Sequence, residues 1–307
     1  MLNEAQLEAR MSGIGGSDIG AILGLNKYRS ALDVFMEKTG RIEPPDLSDN
    51  EHIHFGNVLE DVVAQEYARR QGVKVRRRNQ MFIHKDFPWA LANIDRSVDG
   101  FRKVLECKTA DAWTKGNWGD DGSDAVPDAY LVQDAWYMGV LDYPVADLAV
   151  LIGGNDFRTY HFTRDAELEE MCFRKAAEFW YDHVLKGIPP EPTCDRDLET
   201  LYAHDNGKAI LATPEIEHAA HEHAAIKAEI KKLELLADAQ AFKVKAFMGD
   251  HMEVLVSENG RKLVTWKNNK DGIAFDMEAF KLAHPDLVVA YEIAKRGARP
   301  FLNKVKL

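Results

Sequence analysis

Asp95, Glu106 and Lys108 bring two carboxylates and an ammonium into one short stretch of this chain. They fall in two strand-like runs, residues 90–98 and 104–109, separated by Asp99-Gly100, a dipeptide that signals a hairpin turn. A hairpin sets Asp95 opposite the second strand. The period of two along a strand puts Glu106 and Lys108 on one face and Cys107 on the other. Carboxylate oxygens suit Mg²⁺ or Mn²⁺, hard cations that take one or two carboxylates and complete their shell with water and substrate phosphate. A lysine beside such an ion can orient or deprotonate an attacking water. The competing reading is an exposed strand carrying an ordinary ion pair. Leu91, Ile94, Val98, Val104 and Leu105 argue against it, because they give the charges an apolar setting in which an unpaired one is costly.

Other elements must position these groups. A short helix through Arg10 leads into Gly13-Ile14-Gly15-Gly16-Ser17-Asp18, where Ser17 reads as an N-cap and Gly24 as the stop. A glycine-flanked helix start offers free N–H groups to an anion; a capped structural turn is the alternative. Residues 55–71 read as a helix with Phe55, Val58, Leu59, Val62 and Tyr67 as its apolar stripe, Gly72 as its end and Glu60 at the stripe's border. Glu60 is thereby a candidate third carboxylate or an ordinary surface glutamate. Residues 110–128 read as a long loop in which Trp113 and Trp118 either stack on bases or pin the loop to the core. Pro127 opens a helix with Tyr130, Gln133 and Asp134 about one turn apart, followed by a strand at 148–152 and a helix at 165–185. Gly187-Ile188-Pro189-Pro190-Glu191-Pro192 marks a boundary, giving a core over 1–190 and a C-terminal region over 191–307. In that region Ile216, Ala219, His223, Ile226, Ile230, Leu233, Ala237, Gln240, Val244 and Phe247 keep the three-and-four spacing of a coiled-coil seam. Asn259-Gly260 then signals a hairpin between 252–257 and 261–266, and a last helical stretch runs around 287–295.

The 307 residues, 46% of them hydrophobic, suffice for a sizeable core. No run is long and apolar enough for a membrane span, and the N-terminus lacks a signal-peptide pattern, so the cytoplasm is the expected compartment. Cys107, Cys172 and Cys194 lack metal-site spacing and read as reduced thiols. His218, His221 and His223 do not form a zinc pattern; His54 is kept as a neighbour of the site. A net charge of −11 speaks against a nucleic-acid partner at first sight. However, Arg69, Arg70, Lys74, Arg76, Arg77 and Arg78 crowd into one stretch, with Lys304 and Lys306 near the end. This is either a solvated helix end or a basic lining inside an acidic exterior, with Arg76 a candidate DNA contact.

Asp95 followed by Glu106-Cys107-Lys108 resembles the PD-(D/E)XK nuclease signature. Together with residues 13–18, the helix segment His54-Phe55-Gly56-Asn57-Val58-Leu59-Glu60, Ala92-Asn93-Ile94-Asp95, and Trp118-Gly119 through Pro127, Tyr130 and Gln133, the chain resembles the YqaJ-like viral recombinases. These are phage and prophage alkaline exonucleases similar to lambda exonuclease. The resemblance covers about residues 1–192; Leu263-Val264-Thr265-Trp266-Lys267 and His284-Pro285-Asp286-Leu287 are also similar to the tails of prophage members. It implies an α/β (α+β) fold: a restriction-endonuclease-like core with a central mixed sheet flanked by helices, plus a mainly helical C-terminal region with a β-hairpin. It implies Asp95, Glu106, the Cys107 backbone carbonyl and Glu60 as holders of Mg²⁺, with Mn²⁺ able to substitute. Lys108 would assist the water, Gln133 with Tyr130 would support the catalytic lysine, and Arg10 and Ser17 would hold a 5′-terminal phosphate.

The implied activity is 5′→3′ exonuclease action on double-stranded DNA ends, leaving 3′ single strands for recombination. A trimeric ring and a single-strand annealing protein are the implied partners. An endonuclease on the same hairpin, or a catalytically silent DNA-binding module, are the alternatives. Two departures stand out: Gln133-Asp134-Ala135 replaces a frequent Gln-x-Gln, and Arg96 stands where glycine is frequent, as a cation facing phosphate or solvent.

Overall fold

The protein is described by a computed structural model over residues 10–42, 49–250, 254–294, 297 and 299–305. It divides into two compact units, Met1–Tyr202 and Ala203–Leu307. In the first, α1 (Gly16–Ile22), α2 (Ala31–Lys38) and α3 (Glu51–Gln71) precede the strands β1 (Val75–Arg77), β2 (Phe82–Ile83), β3 (Leu91–Ala92), β4 (Arg96–Val98) and β5 (Lys103–Ala110). A 3₁₀ segment, Ala112–Asn117, leads to α4 (Asp128–Leu141), β6 (Val145–Ile152), β7 (Asp156–Thr163), α5 (Ala166–Glu178) and α6 (Asp195–Leu201).

The central sheet has the order β1-β4-β5-β6-β7, and it is mixed: β5 and β6 are parallel and the other pairings antiparallel. β5–α4–β6 is a crossover unit, which requires a helix between parallel strands. Both faces of the sheet are covered, and β6 accordingly reads as a nearly continuous apolar run. On one face Val63, Ala64 and Tyr67 of α3 pack on Val98, Leu105, Cys107 and Ala149. On the other, Val132, Trp136, Tyr137 and Val140 of α4 pack on Val104, Ala146, Leu148 and Val150. Alternation along β5 therefore turns Glu106 and Lys108 toward α4.

Several sequence expectations are corrected here. Residues 90–98 do not form one strand. β3 pairs with β2, β4 pairs with β5, and residues 93–95 break the ladder between them. The α3 helix starts at Glu51, where the Asn50 side chain accepts from the His52 and Ile53 N–H groups. Its buried stripe is Val63, Ala64 and Tyr67, whereas Phe55, Val58 and Val62 are exposed, because the sheet meets only the C-terminal half of the expected face. β7 was not expected at all; its polar residues Asp156, Arg158, Thr159 and His161 hide an edge strand that pairs along the whole of β6. The break at 187–192 lies inside the first unit. Beyond it, Asp197 accepts from Ser30 Oγ at 2.7 Å and Arg196 pairs with Asp33 at 2.6 Å, tying α6 to the start of α2.

The second unit holds α7 (Pro214–Met248), the hairpin of β8 (Val254–Val256) and β9 (Lys262–Thr265), α8 (Met277–Ala283) and α9 (Pro285–Ala290). The expected seam lies on one continuous helix, with Ile216, Ile226, Ile230, Leu233 and Phe247 exposed. Asn303 donates to the Ala220 carbonyl at 2.7 Å. Most of the expected N-terminal helix, and Met252, Lys295 and Lys306, lie outside the described residues. Among the described residues no helix is long and apolar enough to cross a membrane.

Candidate active site

The hairpin forms as its turn residues require, with Gly100 at φ +80° and Arg96 and Ser97 paired with Leu105 and Val104. Asp95 lies just before β4, where the ladder has ended. Its Oδ2 accepts from the Cys107 N–H at 2.9 Å, replacing the missing backbone partner. The N–H and C=O of one strand residue point to the same edge, so the Cys107 carbonyl opens beside the Asp95 carboxylate. The Cys107 thiol turns to the α3 side and is buried.

Glu106 is 3% exposed. Its Oε1 takes Lys108 Nζ at 2.5 Å and Gln133 Nε2 at 2.7 Å; its Oε2 is buried with no hydrogen-bond partner among the described residues. Gln133 Nε2 also lies 3.0 Å from the Tyr137 hydroxyl. Gln133 thus reaches the lysine through the carboxylate oxygen that both contact. Lys108 Nζ sits 5.1 Å from the centre of the Tyr130 ring, a cation–π contact. Burial alone would lower the Lys108 pKa, but Glu106 and Asp95 beside it more than reverse that and keep it an ammonium. Burial, followed by the Glu106 charge, pushes the Asp95 carboxyl up to about 8. The next residue to Gln133, Asp134, is fully buried with neither carboxylate oxygen hydrogen-bonded among the described residues, and burial, followed by the Glu106 charge, pushes its pKa well up from the usual carboxylate value.

Glu60 is paired with arginines through one of its oxygens. Its Oε1 is 2.5 Å from Arg96 Nη1 and 3.9 Å from Arg77 Nη2. Arg96, expected to face phosphate or solvent, is instead 2% exposed, because α3 carries two acids, Glu60 and Asp61, directly over it. Among the described residues no group of three or more His, Cys, Asp or Glu side chains is placed to hold a metal. The donor set that does fit a hard divalent cation is smaller: Asp95, Glu106 and the Cys107 carbonyl, with the orphaned Glu106 Oε2 as the atom a cation would satisfy.

Arg10 and Ser17 are together, with Arg10 Nη2 3.5 Å from Ser17 Oγ. The cap of α1 is Gly15, not Ser17, since the Gly15 N–H donates to Asp18 at 2.9 Å. Asp18, fully buried, binds Arg29 at 2.6 Å and Lys38 at 2.7 Å. Burial would raise its pKa, but these two cations hold it well below the carboxylate range. A Cβ at Gly16 would lie 2.4 Å from the Tyr137 ring, so glycine is what lets α1 press on α4. Tyr137 thereby links the Arg10–Ser17 end to Gln133 and Glu106. Sequence reasoning missed Asp18, Arg29, Lys38 and Tyr137, and only the Gly-Gly-Ser-Asp string hinted at a tight approach.

The remaining candidates scatter. Trp118 is buried, stacked on Tyr130 with ring centres 5.5 Å apart, so its face is unavailable to bases and it pins the loop; Trp113 is 97% exposed. Arg76 pairs with Asp99 at 2.6 Å, Arg69 and Arg70 with Glu66, and Arg78 donates to Ser97 Oγ, so the basic run is divided among separate partners. His54 is exposed near the start of α3, against Phe55.

A family model described as a YqaJ-like viral recombinase domain matches residues 6–144. The uncharacterized protein YqaJ of Bacillus subtilis (strain 168) is 38% identical over 257 residues, 81% of this chain and 79% of that one. The crystal structure of an alkaline exonuclease (LHK-Exo) from Laribacter hongkongensis shares the fold at TM-score 0.50 and 16% identity, over 61% of this chain and 94% of that one. The same enzyme in complex with dAMP aligns at TM-score 0.49 and 16% identity, over 66% of this chain and 98% of that one.

Proposed function

We propose that this chain, which belongs to the YqaJ-like viral recombinase family, is a metal-dependent 5′→3′ exonuclease on double-stranded DNA ends that leaves 3′ single strands for recombination. The observation that carries this reading is the grouping of Asp95 on the Cys107 N–H, Lys108 on Glu106 Oε1, and a Glu106 Oε2 that is buried with no hydrogen-bond partner among the described residues. Asp95, Glu106 and the Cys107 carbonyl would hold Mg²⁺, or Mn²⁺ in its place. Such an ion supplies Lewis-acid polarisation of the phosphodiester and lowers the pKa of the attacking water. Lys108, kept as an ammonium, orients that water and offsets the charge that develops on the phosphoryl oxygens. Gln133 fixes Glu106 in one rotamer, and Tyr137 fixes Gln133.

Polarity rests on Arg10 and Ser17, which offer a guanidinium and a hydroxyl to a 5′-phosphate on a segment packed against Tyr137. The fold likeness to an alkaline exonuclease supports a DNA substrate. The family reading also carries a trimeric ring and a single-strand annealing protein as partners, with the exposed seam of α7 as the surface offered for subunit contacts.

The deciding assay compares linear duplex bearing a 5′-phosphate, linear duplex bearing a 5′-hydroxyl, and covalently closed plasmid, each with Mg²⁺ or EDTA. The expected result is Mg²⁺-dependent release of nucleotides from the linear substrates, faster with the phosphate, and an intact plasmid. Cutting of the closed circle would make the protein an endonuclease.

A further inference from the structure

Resting on that reading of the metal site, we infer that Arg96 is a positioning residue that withholds Glu60 from the metal, so that the ion is held by Asp95 and Glu106 as its only carboxylates. The guanidinium is buried and satisfied on three sides. Nη1 donates to Glu60 Oε1 at 2.5 Å and to the Asp95 backbone carbonyl at 2.9 Å, and Nη2 reaches Asp61 Oδ1 at 3.2 Å. Its side chain is 3% exposed and that of Glu60 19%, whereas Asp61 is 62% exposed. Glu60 is therefore the desolvated partner of this cation. Were it to swing onto a metal, Arg96 would be left buried with one solvent-screened carboxylate and a carbonyl, which is the costly way to break a buried ion pair. Arg77, 3.9 Å away, adds a second positive charge on the same oxygen.

The same guanidinium also acts on the ligand side. Residues 93–95 lie between β3 and β4, where the Asp95 carbonyl takes a long backbone bond from the Arg78 N–H at 3.4 Å and the shorter one from Arg96, just where the Asp95 side chain reaches across to the Cys107 N–H. One arginine thus holds the Asp95 backbone and removes a neighbouring acid from competition for the ion. Glu60, the residue that sequence position alone would add to the ligand set, becomes the counter-charge of a clamp.

The test is a double-mutant cycle read by Mn²⁺ binding, through titration calorimetry and the electron paramagnetic resonance of the bound ion, on the full chain. The proteins are wild type, Glu60→Gln, Arg96→Gln and the double variant, with Asp95→Asn as control. The expected pattern is that Glu60→Gln weakens Mn²⁺ binding by less than about tenfold while Arg96 is present, the bottom of the range for removing a partner outside the ligand shell. Once Arg96 is gone and Glu60 is released toward the ion, the same substitution costs at least about threefold more, the non-additivity that marks coupled residues. A tenfold or larger cost in the wild-type background, or equal costs in both, overturns the inference. Should Arg96→Gln fail to fold, the Glu60→Gln arm decides alone, since Arg96 keeps Asp61 and the Asp95 carbonyl there. If Asp95→Asn binds Mn²⁺ like wild type, the metal-site reading itself fails and the inference falls with it, an outcome distinct from a large Glu60→Gln cost seen while Asp95→Asn is impaired.

Discussion

Asp95 has its carboxyl raised to about 8 by burial and by Glu106, and this has a definite sign. A native pKa above the unfolded value means the folded protein binds the proton more tightly, so the metal-free fold is favoured at low pH. The contribution is complete below the unfolded carboxylate range and is lost as pH rises through about 8. Thermal melts in EDTA should show a lower Tm at pH 9 than at pH 6, and Asp95→Asn should flatten that slope; an unchanged slope in the variant would remove Asp95 as its source. Metal uptake needs the ionised form, so Mn²⁺ affinity should climb with pH across the same window. Lys108→Ala should lower kcat about a hundred- to a thousandfold, the usual cost of removing one charge-stabilising donor, with DNA affinity retained. Gln133→Ala leaves a buried carboxylate oxygen and a tyrosine hydroxyl short of a donor; chemical unfolding should register a loss of about 1–3 kcal/mol.

Two elements decide where these groups stand, the loop after β5 and the helix α4. Trp118 anchors that loop by stacking on Tyr130, the ring beneath Lys108, while Trp113 stands in solvent. Trp118→Ala should cost about 3–5 kcal/mol in urea unfolding and reduce activity. Trp113→Ala should leave stability within about 0.5 kcal/mol; the reverse ranking would mean the loop is held some other way. Legibility follows the same division. Asp95, Glu106 and Lys108 could be found because their types and their period along a hairpin are local facts. So could the α7 helix and the turns at Gly100 and Gly260. What stayed hidden depends on distant chain: the break before β4 follows from β3 choosing β2 as partner, and the burial of Arg96 follows from two acids on α3. Likewise Tyr137 joins α1 to the site because Gly16, far away in sequence, lets α1 approach it.

For the molecule as a whole, the acidic balance of −11 and the division of the basic run among ion pairs leave no broad cationic face among the described residues of that run. Arg29 and Lys38 are spent on the buried Asp18, so the proposed DNA contact rests on few cations such as Arg10, and affinity should fall with salt on a shallow slope. The exposed apolar seam of α7 bears on assembly. If it makes subunit contacts, Ile230→Glu with Leu233→Glu should lower the sedimenting mass relative to wild type; a wild-type protein that sediments as a monomer while remaining active would dismiss the ring.

The Asp95–Glu106 pair is the centre of the proposed site, and single-turnover digestion of a 5′-phosphorylated linear duplex with saturating Mg²⁺ tests it most directly. Wild type should release nucleotides from the 5′ end, and Asp95→Asn should bind the same duplex with comparable affinity yet release none. An Asp95→Asn protein that digests the duplex at the wild-type rate would contradict the assignment of this hairpin as the catalytic centre.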